Sequence, residues 1–289
     1  MQPINTVLFD NFGVGDNHPI RLMGVVNLSQ ESFYQDSYVS KPAFQEKIQA
    51  FINNGAEILD IGGRSTAPWS DKISVDEEYK RVVPLLDSFF ETLPKNLLIS
   101  IDTQYAAIAR ACLEKGKEHG IKIMINDVSS LHTDPDMINV VIEYQCPLII
   151  MASRQIPGDV CTIEEIKGAF QETIQNLENG GYNLDQLIID PGVGKWIPEK
   201  TYEYDLAMLA NLEEFRSFGY PILIALSRKS FIGTVLGGKP PEERYFGSLA
   251  ASAIACYKGA HIIRTHDVNE AMNDTLKISL EIRNAKKRI

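Results

Sequence analysis

Paired cysteines are missing from this 289-residue chain. It holds four, Cys112, Cys146, Cys161 and Cys256, and no two of them form a C-x-x-C pair. None of the five histidines stands at metal-ligand spacing from a cysteine. That spacing excludes a disulfide scaffold and a structural zinc site, and the thiols read as reduced side chains of a reducing compartment. No basic segment precedes an apolar run at the start of the sequence, so no secretory signal is expected. No apolar stretch nears the roughly 18 residues of a membrane helix. Excess positive charge is missing too. With 28 Lys and Arg against 38 Asp and Glu, the net charge of −10 argues against a general binder of nucleic acid or anionic membranes. Low-complexity segments and linkers are absent, as is a dinucleotide glycine fingerprint after the first predicted strand. The expectation is a cytoplasmic protein built around one large core.

What the sequence does contain is a repeat. Short, near-continuous apolar runs cover 22–28, 56–61, 97–101, 122–126, 147–151, 187–190, 221–226 and 261–264, as strands buried on both faces should. Amphipathic helical patterns lie between them at 43–53, 75–91, 105–117, 135–144, 163–179, 204–218, 243–257 and 269–285. Eight strand–helix units of similar length predict a closed parallel (β/α)8 TIM barrel over 21–289. Residues 1–20 stand outside the repeat as an N-terminal extension, where 7–9 and 12–14 suit a short hairpin capping the barrel bottom. The longest connections, about 29–42, 62–75 and 152–162, all follow strands, on the face where such barrels carry their active sites.

The strand ends therefore define the candidate site. Asp102 and Asp190 each end an apolar strand, Asn126 ends another, and Lys229 follows the seventh. Two carboxylates, an amide and an ammonium in one pocket suit a flat heterocycle rich in donors and acceptors, such as a pterin or purine. Asn27, Arg264 and His266 come from strands one and eight, which become neighbours on closure. Together they can hold a phosphate and its Mg2+. Arg64, Arg228, Lys229, Arg264 and His266 all fall at strand ends, so a local positive site is expected inside an acidic protein. Helix capping is the competing assignment for Asp102, and a core role for His266.

Seven segments then resemble the dihydropteroate synthase family, in order and each at a strand end. They are Met23-Gly-Val-Val-Asn-Leu-Ser-Gln-Glu-Ser-Phe33, Gly55-Ala-Glu-Ile-Leu-Asp-Ile-Gly-Gly63 with Ser65-Thr66, Ile101-Asp-Thr103, Ile125-Asn-Asp-Val128, Asp190-Pro-Gly-Val-Gly194, Ser227-Arg-Lys-Ser-Phe-Ile-Gly233 and Arg264-Thr-His-Asp-Val268. The resemblance implies a transferase that joins a dihydropterin methyl diphosphate to p-aminobenzoate and releases pyrophosphate with Mg2+. By motif, Asp102, Asn126, Asp190 and Lys229 would hold the pterin. Met151 would line its pocket, and Arg264 would pack over the ring. Asn27, Arg264 and His266 would hold the diphosphate, with Asn27 on the metal. Ser227, Thr66 and Pro68 would shape the acceptor site. Asp102, Asp190, Lys229 and Arg264 would carry the chemistry, in an expected homodimer.

The departures cluster at the acceptor end. Where the family reads Ser-Thr-Arg-Pro-Gly, this chain has Ser65-Thr66-Ala67-Pro68-Trp69. The family's arginine is lost there, although Arg64 stands two residues before Thr66. Where the family reads Gly-Phe-Gly-Lys, Gly194 is followed by Lys195-Trp196-Ile197, and Lys195 takes the place of the aromatic wall. Three readings stay open: a synthase with divergent loops, a synthase-like enzyme using another arylamine such as a phosphoribosylated one, and a pterin-binding paralogue without synthase activity.

Overall fold

The computed structural model describes residues 2–9, 11–29, 41–65, 73–90, 93–94 and 97–285. Among them, β1 (Asn5–Leu8) and β2 (Phe12–Gly15) pair as an antiparallel hairpin. Eight parallel strands follow: β3 (Arg21–Asn27), β4 (Ile58–Gly62), β5 (Leu98–Asp102), β6 (Ile123–Asp127), β7 (Leu148–Met151), β8 (Leu187–Asp190), β9 (Leu223–Ala225) and β10 (Ile262–Thr265). Alternating with them are α1 (Lys41–Asn53), α2 (Val75–Phe90), α3 (Ala106–His119), α4 (Met137–Tyr144), α5 (Ile163–Asn179), α6 (Tyr202–Ala210), α7 (Ser230–Val235), α8 (Tyr245–Tyr257) and α9 (Glu270–Ala285).

The barrel strands pair in chain order, β10 returns to β3, and a bridge between Ile189 and Ile222 closes the ring between β8 and β9. Followed once around the barrel, the register from Met23 returns to its own strand about eight residues earlier, the stagger of a (β/α)8 barrel. The expected fold class is thus the one observed.

Two elements differ from the sequence reading. The pattern at 204–218 predicts one helix, but α6 stops at Ala210 and a 3-10 helix runs from Leu212 to Phe218. The Asn211 side-chain amide donates to the Ala207 carbonyl at 2.8 Å, the carbonyl its own backbone N–H also uses. That competition with the helix ladder ends it. The stretch between β9 and 243, left without an element, holds the six-residue α7 and a 3-10 turn, Pro241–Arg244.

The strand interiors alternate with period two. Leu22, Val26, Leu59, Ile61, Ile99 and Ile101 pack outward with the helices. Met23, Ile58, Leu98, Met124, Ile149, Ile188, Leu223 and Ile262 form a separate apolar floor inside the barrel, covered from below by Leu8 and Val14 of the hairpin. Two residues further along each strand, the inward positions are Val25, Asp60, Ser100, Asn126, Met151, Asp190, Ala225 and Arg264. Two further still come Asn27, Gly62, Asp102, Ser227 and His266. Polarity therefore rises from the floor toward the carboxyl ends of the strands. Beneath the floor, buried Asp16 accepts from the Ile4 N–H at 3.0 Å and from Arg216 at 2.6 Å, tying the hairpin to the barrel. His261, given no function from sequence, accepts from the Ile222 N–H at 3.0 Å there.

Candidate functional site

Asp60 lies at the centre of the polar tier and was not picked out from the sequence. It is fully buried on β4 and accepts from Arg264 Nε at 2.5 Å, Ser100 Oγ at 2.6 Å and Asn126 Nδ2 at 3.3 Å. Arg264 also donates through Nη2 to Asp102 Oδ2 at 2.7 Å. One guanidinium thus bridges carboxylates from two neighbouring strands. Burial disfavours its charge, but the Asp60 and Asp102 carboxylates more than offset that and hold it protonated.

Asp102 keeps a second oxygen, Oδ1, buried and without a partner among the described residues. Its carboxyl is raised to about 7, chiefly by burial and then by Asp60 and Glu78, against the pull of Arg264. The capping assignment fails for Asp102. The first N–H of α3, on Ala106, donates to Asp134 at 2.9 Å, and Thr103 Oγ accepts from the Tyr105 N–H at 3.3 Å. The next strand divides its polar end. Asn126 faces inward, whereas Asp127 turns out to accept from the Ser129 and Leu131 N–H groups.

Across the cavity, Asp190 Oδ1 accepts from the Gly192 N–H at 2.8 Å. Burial raises its pKa, opposed by that N–H and by Lys229, Arg264 and Lys200. Lys229 is pushed down to about 8 by burial, with Asp190 the main force holding its proton. The turn between them is pinned from outside. Buried Lys200 donates to the Gly192 carbonyl at 2.8 Å, and Asp205 accepts from the Gly194 N–H at 2.7 Å. Gly194 has φ +123°, and an added Cβ would sit 3.1 Å from Lys229 Nζ, so a side chain there would strain the backbone and crowd the ammonium. Lys200 and Asp205 were missed because they stand beyond the strand end, in a helix approach that carries no motif.

The rim completes the cavity. Asn27, Met151, Ser227 and His266 all line it with the deeper residues. Asn27 Oδ1 accepts from Ser29 N at 3.0 Å and Ser29 Oγ at 2.5 Å. His266 Nδ1 lies 3.0 Å from Ser227 Oγ. Burial, then the Arg264 and Lys229 charges, drive its pKa down to about 3, so this imidazole is neutral at pH 7. Of the five expected cations, His266 therefore brings no charge, and Arg228 turns away. The Arg228 guanidinium binds Asp267 at 2.7 and 3.0 Å and the Pro241 and Glu242 carbonyls at 3.0 Å. Thr66 and Pro68 lie outside the described residues.

An aromatic ring does face the cavity, one residue beyond Lys195. Lys195 is exposed at the cavity edge, and Trp196 lines the cavity beside it. Lys229 Nζ lies 5.3 Å from the Trp196 ring centroid. Trp196 also packs on Gly158, where an added Cβ would fall 2.2 Å from the ring.

A model of pterin-binding enzymes matches residues 23–266. Dihydropteroate synthase of Clostridium beijerinckii is 35% identical over 261 residues, covering 90% of this chain and 92% of its own. That of Synechocystis is 34% identical over 268 residues, covering 89% and 88%. This chain belongs to the dihydropteroate synthase family of pterin-binding enzymes. The solved dihydropteroate synthase of Coxiella burnetii, in complex with pteroic acid, superposes with a TM-score of 0.82 at 34% identity, covering 98% of this chain and 99% of that one. The Xanthomonas albilineans enzyme with 4-aminobenzoic acid gives 0.81 at 30% identity, covering 98% and 99%.

Proposed function

We propose that this chain condenses 6-hydroxymethyl-7,8-dihydropterin diphosphate with p-aminobenzoate, giving 7,8-dihydropteroate and pyrophosphate in folate biosynthesis. The carrying observation is a pair of buried carboxylates on separate strands, each beside a cation: Asp102 with Arg264, and Asp190 with Lys229. Asp102 Oδ1, still unpartnered, awaits a ring N–H, because a buried acceptor left unmade costs about 1–3 kcal/mol. Asn126 offers the ring edge a donor and an acceptor, Lys229 donates to it, and Met151 packs on its face.

The C–O bond to the diphosphate breaks as the methylene gains cationic character shared with the ring. The arylamine nitrogen then forms the C–N bond and loses a proton. Asp190 stabilises the positive charge, and Arg264, through the nitrogen not used by Asp60 and Asp102, stabilises the departing anion. Neutral His266 donates its ring N–H to a phosphate oxygen.

Mg2+ fits this site only with help from substrate. The described residues contain no cluster of three or more His, Cys, Asp or Glu able to cage a metal. Mg2+ commonly takes one or two protein oxygens, substrate phosphates and water. The Asn27 amide oxygen, which now accepts from Ser29, would supply one such ligand. Mg2+ held there would offset negative charge on the diphosphate.

Trp196 restores a flat apolar wall, which favours p-aminobenzoate over a phosphoribosylated arylamine. Ser227, Thr66 and Pro68 complete the acceptor site, and the active form is a cytoplasmic homodimer. Pyrophosphate release and dihydropteroate formation, measured with p-aminobenzoate and with larger arylamines, test the reading. Turnover with p-aminobenzoate is expected. Release only with a larger arylamine, or none with either, would sink it.

A further inference from the structure

We infer that Arg64 is a binding residue for the leaving diphosphate, a second guanidinium beside Arg264 that Glu78 holds in place; the inference rests on the reaction proposed above. Arg64 leaves β4 two residues past Gly62 and lines the cavity. Its setting is built from three sides. Nε donates to Glu78 Oε2 at 2.7 Å, with Glu78 on α2 itself 1% exposed. The other Glu78 oxygen accepts from Thr103 Oγ at 2.7 Å, so that carboxylate cannot swing away. The Tyr105 ring, at the start of α3, lies 4.9 Å from the guanidinium carbon. The turn below is fixed as well: Arg81 donates to the Gly63 carbonyl at 3.1 Å, and a Cβ on Gly63 would meet Val82 at 2.5 Å.

A structural arginine held this firmly normally spends its N–H groups on protein. Arg228 does so, with two bonds to Asp267 and two to backbone carbonyls. Among the described residues, Arg64 spends only Nε, and its Nη2 is buried with no partner. A buried guanidinium nitrogen left unmade is costly unless a ligand completes it, and the ligand that matches a guanidinium fork is an oxyanion.

Position selects which oxyanion. Gly62 pairs with Asn27 on one side and Asp102 on the other. Glu78 is close enough to Asp102 to act on its charge. Arg64 therefore stands at the corner shared by Asn27, Asp102 and Arg264, where the diphosphate belongs. Lys195 and Trp196, at the acceptor end, follow β8, four strands around the ring.

Titration calorimetry in Mg2+ buffer with 6-hydroxymethylpterin, its diphosphate and inorganic pyrophosphate tests this without turnover. Arg64→Gln should bind the diphosphate and pyrophosphate at least about tenfold more weakly, and the plain pterin within about twofold. Arg64→Lys should recover part of the loss, since it keeps a charge without the fork. Glu78→Gln should show the same selective loss, smaller in size, which a merely structural role would not produce. Unchanged pyrophosphate affinity in Arg64→Gln, equal loss for the plain pterin, or an effect confined to the KM for p-aminobenzoate would overturn it. A wild-type protein that binds the diphosphate but forms no dihydropteroate would instead remove the proposed reaction and leave the Arg64 comparison readable.

Discussion

Asp60 receives three donors while fully buried. Asp60→Asn would turn an NH2 toward Arg264, Ser100 or Asn126 and leave the Arg264 charge with Asp102 alone. Breaking one partner of a buried ion pair costs roughly 3–5 kcal/mol. We expect a urea-unfolding loss near the lower figure, because Asp102 remains, together with weakened pterin binding by calorimetry. Full stability would remove Asp60 from its place as anchor. Asp190→Asn acts on ligand more than on fold: an NH2 facing ring donors should weaken pterin binding by roughly 1–3 kcal/mol. His266 gives a pH signature. Its folded pKa, about 3, lies below the unfolded 6.5, so as pH falls the unfolded chain takes the proton first. Stability is then lost between about 6.5 and 3, with a slope approaching about 1.4 kcal/mol per pH unit. Asp102, raised to about 7, and Asp127, raised to about 6, act in the opposite direction over part of that window. The difference between wild type and His266→Gln isolates the histidine. Parallel stability curves from pH 6.5 to 4 would show that His266 protonates freely in the folded state.

At the scale of elements, the segment from β8 to α6 sets which side chains face the cavity after Gly194. Lys195 occupies the expected place of the aromatic wall and is exposed, while Trp196 takes the cavity face against Gly158. Trp196→Ala should therefore raise the KM for p-aminobenzoate at least about tenfold through loss of a flat apolar surface. Lys195→Phe should change it little. If Lys195→Phe lowers that KM sharply while Trp196→Ala does nothing, the wall is missing after all. Gly158→Ala offers an independent check on the packing. Its φ of +67° and the 2.2 Å approach to the indole predict a displaced Trp196 and a changed tryptophan fluorescence, with Trp69 replaced by Phe to silence the other indole.

For the whole molecule, the hairpin covers one end of the barrel and the cavity lies at the other. Leu8 and Val14 are fully buried against the eight-residue floor. Leu8→Ala should cost roughly 2–5 kcal/mol and lower the melting temperature, without changing the KM of either substrate. A change in KM with no change in melting temperature would mean that the hairpin reaches the site rather than the floor. The polar tiers lie on the far side of that floor, so stability and chemistry occupy separate ends.

The sequence by itself determined the eight strand–helix units, because buried parallel strands must be apolar throughout and their helices amphipathic. It also placed Asp102, Asn126, Asp190, Lys229 and Arg264 around one cavity, because a polar residue at an inward position of an apolar strand enters the barrel mouth, whereas Asp127, one residue out of phase, turns outward. Thr66 and Pro68 fall outside the described residues, and their part in the acceptor site remains a proposal. Tertiary structure alone decided what one-dimensional spacing cannot encode. Asp60 is a lone charge inside an apolar strand, and Arg264, Ser100 and Asn126 converge on it from three other strands. Arg64 and Arg228 are both arginines at strand ends, yet one keeps a buried nitrogen unpaired at the cavity and the other binds Asp267 behind it. A strand fixes the side on which each residue leaves the sheet. The partner that a long, charged side chain then reaches is fixed by elements tens or hundreds of residues away, and only the closed barrel brings those within hydrogen-bond range.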